Sequence, residues 1–189
     1  MKALKAEREA LMATKRDGAG LLLVHTGDGK GKSSSAFGVV ARALGWGYRV
    51  GVVQYVKGKW ITGERQFFAK FPDQLVWRTM GEGFTWDVQD RERDIAAAKA
   101  AWGISLEMLH DPSLHLVVLD ELSIALRYDY LDVAEVVEGL KGRLPEKHVC
   151  VTGRDAKPEL IAAADMVTEM RLVKHPFDQG IKAQRGIDF

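Results

Sequence analysis

LLLVHTGDGKGKSSSAF, residues 21–37, sets an apolar run, a glycine-rich turn and the pair Lys32-Ser33 in direct succession. The turn reads as a phosphate-binding loop. Gly27, Gly29 and Gly31 allow positive φ angles and bring backbone N–H groups close to phosphate oxygens with no Cβ in the way. A helix opening at Lys32 adds its N-terminal partial charge, Lys32 reaches phosphate as a point charge, and the Ser33 hydroxyl is placed to ligate Mg²⁺. Against the strict pattern G-x-x-x-x-G-K-[ST], Thr26 stands where the first glycine belongs. The flanks support the reading: a strand-like run precedes the turn, and Ala36, Val39, Val40, Ala43 and Leu44 follow at helical spacing. Asp28, a carboxylate inside an anion site, is expected to point outward or to hydrogen-bond within the loop. The competing reading is a tight strand-to-helix turn of any α/β protein.

The chain has 189 residues, 47% hydrophobic and 28% charged, which suits a single domain with a sizeable core. A net charge of +1, from 27 basic and 26 acidic side chains, gives no sequence-independent grip on nucleic acid or anionic membrane. Cys150 stands alone in the run HVCVTG; an intramolecular disulfide is excluded and a buried strand position expected. No run approaches the roughly 20 apolar residues of a membrane span, and residues 1–16 are too charged for a secretory leader, so a cytoplasmic protein is expected.

Residues 1–16 are rich in helix formers, but Leu4, Leu11 and Met12 make only a thin apolar stripe. We therefore divide the chain into a helical arm, 1–20, and an α/β domain, 21–189. Strands are expected at 21–25, 49–55, 75–78, 115–119, 148–152 and 166–172. Helices are expected from Lys32, at 63–70, at 87–109 ended by Asp111-Pro112, at 131–141 and at 158–164. This alternation predicts a single-domain α/β fold with a mainly parallel open sheet and helices on both faces, of the phosphate-loop NTPase (RecA-like) type.

The apolar strand VVL ends in Asp120-Glu121, carboxylates at the sheet edge where the phosphate loop also lies and where Mg²⁺ or its water is held. Arg154, just beyond the 148–152 strand, is a candidate phosphate clamp. Gly27, Asp28, Gly29, Lys30, Gly31, Lys32, Ser33, Ser34 and Arg154 are the candidate nucleotide contacts; Ser33, Asp120 and Glu121 are the candidate metal contacts. Such a site normally transfers or hydrolyses a phosphoryl group, yet Glu121 is the only base on offer. The stretch GEGFTW (81–86) suits a large flat ligand better than a small hydroxyl acceptor, although Phe84 and Trp86 also read as aromatic caps on the core. A small kinase and a nucleotide-gated binding module share these signals.

GDGKGKSSSAFG (27–38), MGEGFTWDVQDRERD (80–94), VVLDELSIALRYDYL (117–131), VTGRDAKPELIAAAD (151–165) and VKHPFDQGIKAQRGIDF (173–189) together resemble the ATP:corrinoid adenosyltransferases of the phosphate-loop type, the CobA/CobO/BtuR family. The resemblance runs in order from about residue 21 to 189. It implies transfer of the 5′-deoxyadenosyl group of ATP to the Co(I) of a corrinoid (cobalamin, cobinamide or cobyrinic acid a,c-diamide), with triphosphate leaving. It also implies Mg²⁺ or Mn²⁺, an electron donor such as flavodoxin or a flavin-dependent reductase, a homodimer, and an N-terminal helix that folds over the corrinoid. By matching positions, Lys32, Glu121 and Arg154 serve the triphosphate, while Phe84 and Trp86 displace the lower ligand of Co(II) to ease its reduction. The departures are Asp28 and Ser33-Ser34-Ser35, where many relatives carry Asn and Thr. Ser33 keeps the hydroxyl that a cation needs, so Asp28 bears on nucleotide affinity more than on reaction type.

Overall fold

Val50, Val52, Val117, Val118, Val149 and Val151 are all fully buried. Runs that are apolar on both faces belong inside a parallel sheet covered on both sides. The computed structural model, which describes residues 2–15, 18–56, 61–80 and 91–189, has that arrangement. Its elements are α1 (Lys2–Ala13), β1 (Leu22–Thr26), α2 (Lys32–Gly45), β2 (Val50–Gln54), α3 (Gly63–Phe68), β3 (Leu75–Thr79), α4 (Arg91–His110), β4 (Leu116–Asp120), α5 (Leu122–Arg127), α6 (Val133–Lys141), β5 (His148–Thr152), α7 (Pro158–Ala163) and β6 (Met166–Glu169). The six strands pair in parallel in the order β3-β2-β4-β5-β1-β6.

Strand alternation sorts the core into two halves. Val50, Val52, Leu116, Val118 and Cys150 meet Ala36, Phe37 and Val40 of α2 and Phe68 of α3. Val53, Val117, Leu119, Val149 and Val151 meet α4, α5, α6 and α7 through Trp102, Leu109, Leu122, Leu126, Leu140 and Leu160. Burying each such side chain contributes about 1.5–3 kcal/mol. Exposed pairs such as Lys5–Glu9 contribute about 0–1 kcal/mol, so the sheet rests on its valines and leucines. Cys150 is fully buried and burial pushes its thiol up to about 12, in keeping with an inert strand position. No helix among the described residues is long and apolar enough to cross a membrane.

Local signals place most element ends. Thr62 caps α3 by accepting from the Arg65 N–H, and Asp132 caps α6 by accepting from the Glu135 N–H. Two features differ from the sequence expectation. α5 was not anticipated: LSIALR is a single short helix started by the backbone turn at Glu121 rather than by a capping side chain. β6 ends at Glu169, and all four of its residues are exposed, so no buried face carries it on to Leu172. In 174–189 the sole helical piece among the described residues is a 3₁₀ turn at Pro176–Gln179. In α1 every described side chain, Leu4, Leu11 and Met12 included, faces solvent.

The opposite edge of the sheet is fastened by imidazoles. His148 Nδ1 accepts the Leu21 N–H at 3.0 Å, and His115 stacks on Tyr48 at 3.8 Å between centroids. Burial lowers the pKa of both rings; the charges of Arg143 on His148, and of His148 and Lys147 on His115, add to it. A ring that binds its proton less readily when folded costs stability as pH falls below its ordinary value near 6.5. Protonation of His148 at Nδ1 also removes the acceptor for Leu21. Thermal melts at pH 7.5 and 5.5 should therefore show a larger acid-induced loss of Tm in the wild type than in His148→Gln, whose amide oxygen accepts the Leu21 N–H without titrating. Equal losses would refute the assignment.

Candidate active site

β1 delivers the loop to the C-terminal edge of the sheet. Gly27 and Gly31 take positive φ, 94° and 109°, as the sequence reading required. Gly29 is needed for another reason: a Cβ there would lie 2.7 Å from the Arg171 carbonyl oxygen, and one at Gly27 would lie 2.4 Å from that of Met170. The Gly29 N–H donates to the Met170 carbonyl at 2.7 Å. The loop thus sits directly on the backbone that follows β6. Gly31 is the N-cap of α2 with no capping side chain, which leaves first-turn N–H groups available to an anion. Lys32, only 7% exposed, folds back to donate to the Gly29 carbonyl at 2.6 Å. Burial lowers its pKa, with the Glu121 charge opposing. Asp28, Lys30 and Ser34 are exposed and Ser33 is half-buried, so Asp28 turns its charge to solvent. Thr26, in the place of the missing glycine, accepts the Ala156 N–H at 3.1 Å and ties the loop to the turn that carries Arg154.

At the end of β4, Asp120 is 4% exposed and both its oxygens are engaged. Thr152 Oγ1 donates to Oδ1 at 2.8 Å and Gln54 Nε2 donates to Oδ2 at 3.1 Å. The same Thr152 oxygen accepts the Glu121 N–H at 2.9 Å. Gln54 Oε1 in turn accepts from Trp77 Nε1 at 3.0 Å and from Thr79 Oγ1 at 3.3 Å, so the network reaches β3.

Glu121 lies in the left-handed region at φ 63°. Burial first, and then the Asp120 charge, push its carboxyl up to about 7 against the pull of Lys32 and Arg154. Its Oε2 is buried, with no hydrogen-bond partner among the described residues. A shielded, unpartnered carboxylate oxygen beside a phosphate loop suits a divalent cation. Among the described residues no three His, Cys, Asp or Glu side chains cluster as a metal cage. Mg²⁺ is usually held by one or two carboxylates, with substrate phosphates supplying more of its shell. Ser33, Asp120 and Glu121 are the residues that would hold it.

Arg154 is exposed, and its charge is felt at both Lys32 and Glu121. Gly153 before it has φ 139° and presses on Ser123, where a Cβ would come within 2.6 Å of the serine's own. The fold therefore brings Lys32, Glu121 and Arg154 together. Phe84 and Trp86 lie outside the described residues. Thr152, Gln54 and Thr26 were missed from sequence; the one available signal was a polar residue closing each of three apolar strands.

The raised Glu121 carboxyl has a testable cost. A group that binds its proton more tightly when folded stabilises the fold below its unfolded pKa, near 4.5, and loses that contribution as pH rises through about 7. Glu121→Gln should therefore raise stability at pH 8, by up to about 3 kcal/mol, and leave it nearly unchanged at pH 4.5. The same variant should lose most Mg²⁺-dependent nucleotide binding. Denaturant melts at the two pH values check the first claim; an equal effect at both would refute it.

Residues 18–189 match the model of the family described as ATP:corrinoid adenosyltransferase BtuR/CobO/CobP. A corrinoid adenosyltransferase of Pseudomonas aeruginosa is 56% identical over 189 residues, which is 100% of this chain and 93% of that one. The corrinoid adenosyltransferase CobA of Salmonella typhimurium is 45% identical over 186 residues, covering 98% and 94% of the two chains. Among solved structures, the flagellar accessory protein FlaH of Methanocaldococcus jannaschii superposes with a TM-score of 0.51 at 12% identity, over 80% of this chain and 71% of its own, a likeness of fold alone. On the family match and these full-length identities, the chain belongs to the ATP:corrinoid adenosyltransferases.

Proposed function

We propose that this adenosyltransferase holds the triphosphate of ATP on the loop 27–34, with Lys32 and Arg154 as its cationic contacts and Ser33, Asp120 and Glu121 holding Mg²⁺ or Mn²⁺. The observation that carries the reading is the convergence of Lys32, Glu121 and Arg154 at one sheet edge around an unpartnered buried carboxylate oxygen. The Co(I) electron pair attacks C5′ of the ribose, the cobalt–carbon bond forms, and the bond from C5′ to the α-phosphate oxygen breaks, its electrons leaving with triphosphate. Loop N–H groups, Lys32 and Arg154 are preorganised for the charge that develops on this leaving group. When bound, the divalent cation neutralises part of the same charge. Because Asp120 already accepts from Thr152 and Gln54, Glu121 is the freer ligand and Asp120 the more rigid one. Carbon alkylation moves no proton, so the scarcity of bases is no obstacle.

The corrinoid is assigned to the stretch 81–86, whose aromatic pair Phe84 and Trp86 would strip the lower axial ligand from Co(II) and so favour its reduction by a flavodoxin or flavin-dependent reductase. The arm 1–20 is assigned to the corrinoid as its cover, consistent with the exposed Leu4, Leu11 and Met12. A cytoplasmic homodimer, with no nucleic acid or membrane partner, completes the proposal.

Anaerobic incubation with MgATP and chemically reduced corrinoid should yield triphosphate and a light-sensitive adenosylcorrinoid, read as phosphate products and corrinoid spectrum together. ADP with an unchanged corrinoid would instead mark a kinase and overturn the reading. Trp86→Ala should keep ATP binding but lose adenosylation when Co(II) must be reduced on the enzyme; unchanged rates with an enzymatic reductant would remove the aromatic pair from the mechanism.

A further inference from the structure

The segment after β6 returns twice to the phosphate loop. First, Met170 donates its N–H to the Thr26 carbonyl at 2.8 Å and accepts the Gly29 N–H at 2.7 Å, so residues 170–171 form the floor against which Gly27 and Gly29 pack. Second, the chain comes back after the 3₁₀ turn and closes a tight loop at 184–189. There the Asp188 N–H donates to the Gln184 carbonyl at 2.8 Å, and the Gln184 N–H donates to Asp188 Oδ2 at 2.8 Å. These reciprocal bonds fix the Asp188 carboxylate, whose side chain is only 17% exposed. Its other oxygen, Oδ1, accepts from the ammonium of Lys30, 158 residues earlier and in the middle of the phosphate loop. The Lys30 bond and the Gln184 N–H hold the Asp188 carboxyl below the usual carboxylate range.

A loop built to attract an anion therefore has one of its two lysines already neutralised from within the chain. Resting on the reading that the loop holds triphosphate, we propose that Asp188 is a positioning residue that occupies Lys30 in the nucleotide-free enzyme and exchanges it with the polyphosphate. Incoming triphosphate repels the carboxylate and offers Lys30 more highly charged oxygens. Held in place by the Gln184 bonds, Asp188 keeps competing for Lys30 after the adenosyl group has left, and so weakens the hold on the triphosphate product as well as on ATP. The latch costs nucleotide affinity and speeds triphosphate release. Lys32, buried and folded onto Gly29, stays outside this exchange.

A double-mutant cycle with two probes, inorganic tripolyphosphate and MgATP, each titrated calorimetrically at fixed salt, tests the proposal. Asp188→Asn keeps an oxygen for the Gln184 N–H but removes the charge, so the turn should stay closed. The variant should bind tripolyphosphate about two- to fivefold more tightly than wild type, the scale of an exposed ion pair. In a Lys30→Gln background the same change should give little or no gain, because the partner it releases is gone. Stopped-flow release of triphosphate should be slower in Asp188→Asn by a similar factor. Unchanged or weaker binding by Asp188→Asn would overturn the latch, and an equal gain in the Lys30→Gln background would reduce it to general charge repulsion. Failure of the wild type to bind either probe would instead overturn the phosphate-loop reading itself, and the latch with it.

Discussion

In the parallel register Gln54 pairs with both Asp120 and Thr79, His25 pairs with Thr152, and Thr26 pairs with Glu169. Every strand therefore spends its apolar residues below this level and presents a polar one at the same edge. The site depends on that levelling. A carboxylate as buried as Asp120 is costly unless donors meet it. The register supplies them from the two neighbouring strands, Thr152 on one side and Gln54 on the other. A slip that brought Val53 or Val151 to this level would replace one of the two donors with a valine. The valine-rich core and the acidic centre are two consequences of one pairing pattern.

The second carboxylate is treated in the opposite way. Thr152 holds the Glu121 backbone N–H, which helps keep the residue in a left-handed conformation that costs a non-glycine residue about 1–3 kcal/mol. Its side chain is then buried beside Asp120 with one oxygen unmatched. Among the described residues the charges of Lys32 and Arg154 offset only part of that cost. Unfavourable placement of this kind persists where a ligand offsets it, and a divalent cation carried in with polyphosphate is the chemically natural one. The adjacent carboxylates thus divide the work: Asp120 gives the centre rigidity and Glu121 gives it demand.

The sequence made legible the features that lie close together along the chain. The glycine-rich turn between an apolar run and a helical pattern, the acids closing 117–121 and the arginine after 148–152 all stand where the fold places them. What it could not disclose was set by contacts distant in sequence. Gly29 looks like a phosphate-approach glycine, but its lack of a Cβ is demanded by Arg171. Thr152 and Gln54 are ordinary strand-end residues until the sheet order puts β5 and β2 on either side of β4. Asp188 has no local feature that points to Lys30. The strand at 166–172 was read too long because its apolar residues suggest burial, whereas an edge strand whose residues are all exposed ends where pairing with β1 ends.

These placements bear on the reaction. A carboxyl near pH 7 has the proton affinity of a general base, and in a kinase Glu121 would be the natural candidate. Its surroundings argue against that role. The same burial that raises its pKa leaves Oε2 without a donor among the described residues, and the carboxyl feels the charges of Lys32 and Arg154, the groups proposed to receive phosphate oxygens. A base must also remain free of the cation, whereas this carboxylate is the one whose partner is missing. The other carboxylate at the edge, Asp120, is already committed through both oxygens. In the proposed site, then, cationic and hydrogen-bonding groups serve a leaving triphosphate, and neither described carboxylate is set aside to take a proton from an acceptor. That imbalance is what a substitution at carbon by a nucleophile without a proton requires, and phosphoryl transfer to a hydroxyl does not.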